Sequence, residues 1–471
     1  MKPLRMFMSV LLAGVCAALA STVHAAPKVK AKDPPQGKPY LIHAGWVGPS
    51  LEFLKEHIEE VEAQAPFDGY LFGMDVTCPM YNQKIEINEQ VKNKIKLYKQ
   101  IKFKRATHNF LSIMIDQAKP DWFDDKYWKT VAENFAVVAK VVAMTDMEGV
   151  AWDTECYGVY PVNSYWTSAY FIKEEEKKAA ELAGETDAEG KDKDKKKKAK
   201  KPVVRRPANR KGAKAENGVH TPEEYRAIAR ERGRQLGAAM YKECPNLKLW
   251  VYYLWSYKSD LMGAFCNGLL ETMPDTARLI DGDEWRGYCM ADENGYKPMA
   301  EDNRKGYGQL DSKLVQKHRK VGGVAPAFYL DFYADPKSTL YEWQPRKNYE
   351  GNPARLLKRQ LREAKRNATG GHIWIYGEKG QFWDWTKFKK GKATMANRFP
   401  MWEEKIPGIR KAIFGDEYQD PDEAADDKRK HGRRTTKKET KKLYTGRHGG
   451  SSLSSAPAQG IAPVAMPPGA F

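Results

Sequence analysis

Two carboxylates two residues apart end one apolar run of the chain. The stretch "EGVAWDTECYG", residues 148–158, carries Asp153, Glu155 and then Tyr157. On a β-strand successive side chains alternate faces, so Ala151, Asp153, Glu155 and Tyr157 share one side. Cleaving a glycosidic bond needs one carboxylic acid to protonate the departing oxygen and a second group to stabilise or attack the anomeric carbon. A carboxyl beside another carboxylate resists ionising, because the two negative charges repel. Asp153 would therefore keep Glu155 protonated for the acid role. The bland alternative is a loop anchor, or a pair with an arginine such as Arg105 or Arg286. Two acids following a core strand favour chemistry over that alternative.

Other polar residues stand where apolar runs end: Asp75, His108 with Asn109, Trp255, Asp281, Asp283, Glu284, Tyr329, Asp331, Tyr376 and Glu378. Asp331 is the leading second carboxylate for Glu155, although a strand-terminal Asp often caps the next turn. Asp283, Glu284 and Glu378 follow, each as readily structural as functional. Tyr157, Tyr329 and Tyr376 would hydrogen-bond a sugar or a catalytic carboxylate. With Trp255, Asp283, Glu284 and Glu378 they make up the expected substrate-binding set. The rings of Trp122, Trp152, Trp255, Trp285, Trp383 and Trp385 offer flat apolar platforms, though core packing is the commoner use of such residues.

The elements that must position these groups alternate along the chain. Strands are expected at 39–46, 67–75, 105–113, 148–158, 247–255, 276–285, 322–333 and 370–378. Helices are expected at 50–65, 88–101, 121–145, 221–243 and 354–368, with Ser50 and Thr221-Pro222 as start signals. Eight strands separated by helices predict an α/β fold, a closed (β/α)8 TIM barrel over about 38–410. The rival, a doubly wound open sheet, lacks any G-x-G-x-x-G or P-loop after a strand. In a barrel, the strand C-termini converge on one mouth, where the acids and tyrosines above would meet.

The formal net charge of +18 is unevenly spread. Residues 191–214 hold thirteen Lys/Arg against two Asp, and residues 428–447 hold ten against one Glu, so the remainder is mildly acidic. The first tract lies in a charged insertion, 172–219, after strand four. The second opens a disordered basic tail, 420–471, that ends rich in Gly, Ser, Ala and Pro. Such tracts are either solvated or hold the protein to an anionic polymer or surface. Neither interleaves aromatics with its charges, so nucleic acid is not the expected partner.

Residues 1–25 combine Lys2 and Arg5, an apolar run and small residues, the pattern of a cleaved secretory signal. No later stretch is long and apolar enough to span a bilayer. A secreted or periplasmic location is expected. Beyond Cys16, five cysteines remain without C-x-x-C spacing, so no zinc site is indicated. With no H-x-H or H-E-x-x-H, His43 and His108 read as hydrogen-bonded residues, and no catalytic metal or cofactor is expected. No G-x-S-x-G or Cys/His signature points to acyl transfer.

The spacing of "EGVAWDTE" resembles the D-G-x-D-x-D-x-E strand-four motif of chitinase-like glycoside hydrolases. Asp153 and Glu155 stand at its last two acidic positions, which in that family assist and perform acid catalysis. Glu148 and Ala151 stand where that motif has its first and second Asp. From about 38 to 410 the layout is also similar to a superfamily of secreted bacterial (β/α)8 barrels regarded as glycoside hydrolases. Their "NFL", "DWFDD", "D-x-E-x-Y" and "W-x-YGE" elements match residues 109–111, 121–125, 153–157 and 374–378. The resemblance implies a secreted hydrolase of a polysaccharide or oligosaccharide and leaves the sugar open. The alternative from another class is a non-catalytic glycan-binding or surface-associated barrel.

Overall fold

Short runs of alternating large residues, covered on both faces, favour parallel strands linked by helices. The computed structural model has that arrangement and describes residues 38–45, 48–118, 121–159, 164–182, 219–334, 351–383 and 399–415. Its strands are β1 (Tyr40–His43), β2 (Gly69–Phe72), β3 (Phe110–Asp116), β4 (Gly149–Cys156), β5 (Lys248–Val251), β6 (Arg278–Asp281), β7 (Gly322–Val324), β8 (Ala327–Tyr329) and β9 (His372–Tyr376). All pair parallel in one nine-stranded curled sheet, ordered β7-β6-β5-β4-β3-β2-β1-β9-β8. The fold is α/β.

The two end strands are neighbours in sequence, joined by Ala325 and Pro326 alone. Ala325 N–H donates to Asp281 O at 2.8 Å, toward β6. Val324 O and Pro326 O accept from Gly370 N and Trp374 N, toward β9, at 2.8 and 3.2 Å. The inner face of the curl packs on itself: Ile42, Phe110, Ala151, Trp250, Ile280, Ala325, Ala327, Tyr329 and Trp374 form one buried cluster. Their neighbours on the other face, among them Leu41, Leu111, Val150, Leu249, Leu279 and Ile373, pack in the cluster that includes the helices.

Helices connect the strands, and their start signals act as the sequence indicates. Ser50 Oγ accepts Phe53 N–H at the start of Leu51–Gln64, and Asn88 does the same for Glu89–Gln100. Thr221 and Glu224 form a reciprocal capping box before Pro222–Glu243. That helix lies close against Asp260–Thr272; a Cβ on Gly268 would come 2.0 Å from Arg230 O, so only glycine permits the approach. No helix among the described residues is long and apolar enough to cross a membrane. The five described cysteines are free thiols.

Several expectations need correction. The third strand begins later than 105 and runs to Asp116, because the alternation of "FLSIMID" continues past Ile113. His108 and Asn109 therefore precede β3, at the end of the sheet opposite Asp116. Asn109 holds backbone there, accepting Tyr70 N–H at 2.8 Å and donating to Ala106 O at 2.7 Å. The strand expected at 322–333 is two short ones followed by the helical turn Asp331–Ala334. Ser168–Leu182 is a helix that enters the expected insertion. Its Glu175 receives His220 N–H at 2.7 Å, tying that helix to the segment just before Pro222–Glu243. The helices Asp260–Thr272, Glu284–Tyr288, Tyr296–Arg304 and Val315–Val321 were not foreseen. The leader 1–25, residues 183–218 and the tail 420–471 lie outside the described residues.

Candidate active site

Alternation on β4 is held from both sides. Ala151 lies in the inner cluster, while Trp152 packs in the outer one. Thr154 Oγ1 donates to Tyr253 O at 3.0 Å, and Trp166 Nε1 donates to Thr154 O at 2.9 Å. Cys156 Sγ donates to Ala118 O at 2.9 Å. Asp153 and Glu155 are left on the inner face, as their spacing predicts.

Asp153 Oδ1 accepts the backbone N–H of Glu155 at 2.9 Å. The Tyr157 hydroxyl lies 2.8 Å from Glu155 Oε2 and 3.3 Å from Asp153 Oδ2. One O–H thus bridges both carboxyls. Burial pushes Asp153 up to about 6, against the N–H and O–H bonds that favour its charge. Burial and then the charge of Asp153 push Glu155 up to about 8. Neither suggested arginine compensates them: Arg105 pairs with Asp68 at 3.3 Å and Arg286 with Asp302 at 2.8 Å. Among the described residues, no Lys or Arg makes an ion pair with Asp153, Glu155 or Glu284.

The end of β6 supplies three more acids with different surroundings. Asp281 accepts N–H groups from Leu254, Ser256 and Asp283 at 3.3, 3.2 and 2.9 Å, and the Ser256 hydroxyl at 3.0 Å. It is a buried brace between the ends of β5 and β6. Asp283, buried at φ 41°, accepts the Tyr307 hydroxyl and is pushed up to about 7 by burial and by Asp281. Glu284 turns back toward β4: its N–H donates to Tyr252 O at 3.2 Å, and Tyr252 N–H donates to Trp152 O at 3.0 Å. Burial first, then the charges of Glu155 and Asp153, hold its carboxyl well above the ordinary range.

The remaining expected site residues divide. Asp331, the expected second carboxylate, is buried and accepts the N–H groups of Glu378 and Lys379 at 2.8 and 3.2 Å, so both its oxygens clamp the loop after β9. Glu378 accepts the Tyr376 hydroxyl at 2.7 Å. Tyr329 and Tyr376 face each other across paired strands, their rings 5.2 Å apart, with Tyr288 stacked on Tyr376 at 5.9 Å. Trp255 is fully buried with its indole N–H on His318 Nε2 at 3.2 Å, which leaves no ring face for a ligand. Trp122, Trp152 and Trp383 are also fully buried, whereas Trp285 is 36% exposed beside Glu284. Trp385 lies outside the described residues. Asp75 is exposed and paired with Lys94 at 2.5 Å.

The histidines are structural. His43 is buried among Phe67, Phe382 and Trp383 and pushed down to about 3 by that burial. His108 bonds Glu148 at the opposite end of β4 from the acids. Among the described residues, no group of three or more His, Cys, Asp or Glu is arranged to hold a metal ion.

Sequence reasoning missed the tyrosines that complete the cluster. Tyr253 and Tyr257 are near enough to Asp153, Glu155 and Glu284 to feel their charge, and Tyr288 lies beside Glu284. A signal was present: Tyr288 follows Glu284 by four residues, one helical turn, and "YYLW" closes the run expected as strand five over 247–255, of which β5 itself takes Lys248–Val251. No family model matches the chain, and no curated protein matches it either. The chemistry of the site therefore has to be argued from its own geometry.

Proposed function

We propose that the protein is an exported glycoside hydrolase on a closed (β/α)8 barrel, with Glu155 as general acid. The observation that carries this is an uncompensated acid pair. Glu155 and Asp153 lie side by side on the inner face of β4, Asp153 buried and Glu155 half-buried, and no Lys or Arg among the described residues pairs with either. Asp153, steadied by the Glu155 N–H and the Tyr157 hydroxyl, ionises first, and its charge keeps the proton on Glu155 at neutral pH. A carboxyl of that kind is suited to protonate a glycosidic oxygen as the bond to the anomeric carbon breaks. Tyr157 orients both carboxyls, and Trp285 offers a sugar its apolar ring face.

Closure of the barrel is supported by residues 322–329, which bond to β6 on one flank and to β9 on the other. β7 and β8 then read as one strand broken at Pro326, whose missing N–H cannot continue the ladder. Export rests on the leader-like first 25 residues. The substrate is a polysaccharide or oligosaccharide, and an anionic polymer or surface would meet the two basic tracts.

The test is reducing-sugar release from neutral, amino-sugar, uronic and sulfated polysaccharides by the native protein and by Glu155→Gln. The expected result is release by the native protein that falls by about 10²–10⁴-fold in the variant. Equal release by both would remove Glu155 from the acid role. Binding by both without release would favour the non-catalytic glycan-binding barrel.

A further inference from the structure

Among the described acids at the strand ends, Glu284 combines closeness to Glu155 with a buried oxygen outside any hydrogen bond of regular geometry. Asp281 is saturated by three backbone N–H groups and the Ser256 hydroxyl. Asp283 is engaged by Tyr307, and Asp331 by two backbone N–H groups. Glu378 bonds Tyr376. Glu284 Oε2 is buried and makes no hydrogen bond of regular geometry, and the same is true of the neighbouring hydroxyl of Tyr288. A buried carboxylate oxygen without a partner is costly, and in a native protein such an atom calls for an explanation.

The backbone places that oxygen. Trp152 O, Tyr252 N and O, and Glu284 N form a continuous row across β4, β5 and the turn after β6, with bonds of 3.0 and 3.2 Å. Asp153 follows Trp152 directly, so Glu284 rises two strands away from the acid pair, roughly 10 Å along the sheet. Side chains projecting from positions two strands apart into a curled sheet converge. Paired glycosidase carboxyls are separated by about 5–9.5 Å, a span such a placement can satisfy. Among the described residues, no comparable bonded row connects Asp331 to β4.

We propose that Glu284 is the second catalytic carboxylate, acting at the anomeric carbon while Glu155 acts at the departing oxygen. This rests on the hydrolase reading above. Glu155 gives its proton to the glycosidic oxygen, and the C–O bond breaks with its electron pair going to that oxygen. The productive protonation state of these coupled carboxyls has the proton on Glu155 and none on Glu284; in it Glu284 Oε2 either bonds the anomeric carbon or takes a proton from the water that bonds it. In the first case a later water cleaves that ester, giving its proton back to Glu155. The first route returns the site to its starting protons; the second leaves the proton on Glu284, which releases it to solvent while Glu155 takes one up before the next turnover. Tyr253 and Tyr288, beside Glu284, position it by turning their hydroxyls to the charge.

The experiment uses the full chain and four variants, Glu284→Gln, Glu284→Gly, Glu155→Gln and the double Gln variant, each first checked for cooperative unfolding. The first readout is turnover of a panel of aryl glycosides with good leaving groups. Glu284→Gln is expected to lose about 10²–10⁴-fold, and azide is expected to restore part of the turnover of Glu284→Gly as a glycosyl azide. The second readout does not need activity: the thermal midpoint at pH 9. Glu284→Gln is expected to raise it, by less when Glu155 is already Gln, because the two like charges face each other. Unchanged turnover in Glu284→Gln, with the native protein active, would overturn the assignment and leave the hydrolase reading standing. Strict additivity at pH 9 would overturn it whatever the activity. Coupling at pH 9 with no native turnover of any glycoside would remove the hydrolase reading, and this assignment with it.

Discussion

Glu148 and Glu155 are the same residue at opposite ends of one strand, and the protein surrounds them in opposite ways. Glu148 meets His108 through Oε1, and His372 and Lys248 through Oε2 at 2.8 and 2.6 Å. Tyr40 stacks on His108 beneath them, ring centroids 3.3 Å apart. Burial alone would push Glu148 up. The His108 and His372 bonds and the Lys248 charge outweigh it and hold the carboxyl well below its usual range. Among the described residues, no Lys or Arg pairs with Glu155. It has a tyrosine hydroxyl and acidic neighbours, and goes up instead. Burial is shared by both ends; compensation is not. A compensated charge is what a fold uses to stay closed, whereas an uncompensated one is tolerated where it serves a site.

The sharpest way to break that contrast is Glu148→Ala. It should destabilise the protein by about 3–5 kcal/mol in urea unfolding at pH 7, since it leaves the Lys248 ammonium without its counter-charge and the His108 and His372 rings without this hydrogen-bond partner. Because the folded Glu148 titrates below its unfolded value of about 4.5, its contribution is complete above that value and is lost as pH falls. The gap between native protein and variant should therefore narrow below about pH 4. A gap that stayed constant with pH would mean that the network contributes packing alone.

At the other end, turnover should be bell-shaped. It should rise as Asp153 ionises near about 6 and fall as Glu155 loses its proton near about 8. A full decade should be lost by pH 9, and Glu155→Gln should lack the alkaline limb in whatever activity it retains. A native profile flat from pH 5 to 9 would deny the pair its role.

Stability should run in the reverse sense to that of Glu148. The folded Glu155 titrates above its unfolded value, so its carboxyl is tolerated at acid pH and becomes a liability as pH rises through about 8. Glu155→Gln should be near neutral at pH 5 and stabilising by about 0.5–2 kcal/mol at pH 9, measured by denaturant titration at each pH. The smallest effect is expected from Trp285→Ala. KM should rise about fivefold, with folding stability changed by less than ~0.5 kcal/mol, because the ring is partly exposed at the rim. An equal loss of stability would make Trp285 a core residue.

Much of this was legible in the residues before any coordinates. The alternation in "GVAWDTE" put Asp153 and Glu155 on one face, and "VAPAFY" and "HIWIY" likewise sent Ala327, Tyr329 and Trp374 inward. Ser50 and Thr221-Pro222 marked their helix starts. The errors share one character. His108 was read as the end of a strand it actually precedes, because a polar pair beside an apolar run looks the same from either side. Trp255 looked like a sugar platform, yet its indole N–H is taken by His318, 63 residues away. Asp331 looked like a catalytic partner, yet its acceptors go to N–H groups 47 and 48 residues away.

The sequence by itself determined the strand and helix periods, the caps, and which side chains share a face. Each of these depends on the stereochemistry of a few consecutive residues. It could not decide which charge meets which. Glu148 finds its three partners at separations of 40, 100 and 224 residues, and Glu284 comes within electrostatic reach of Glu155 only because β4, β5 and β6 are bonded in register. An acid's role follows from what lies within a few ångströms of it, and only the tertiary fold brings distant residues that close.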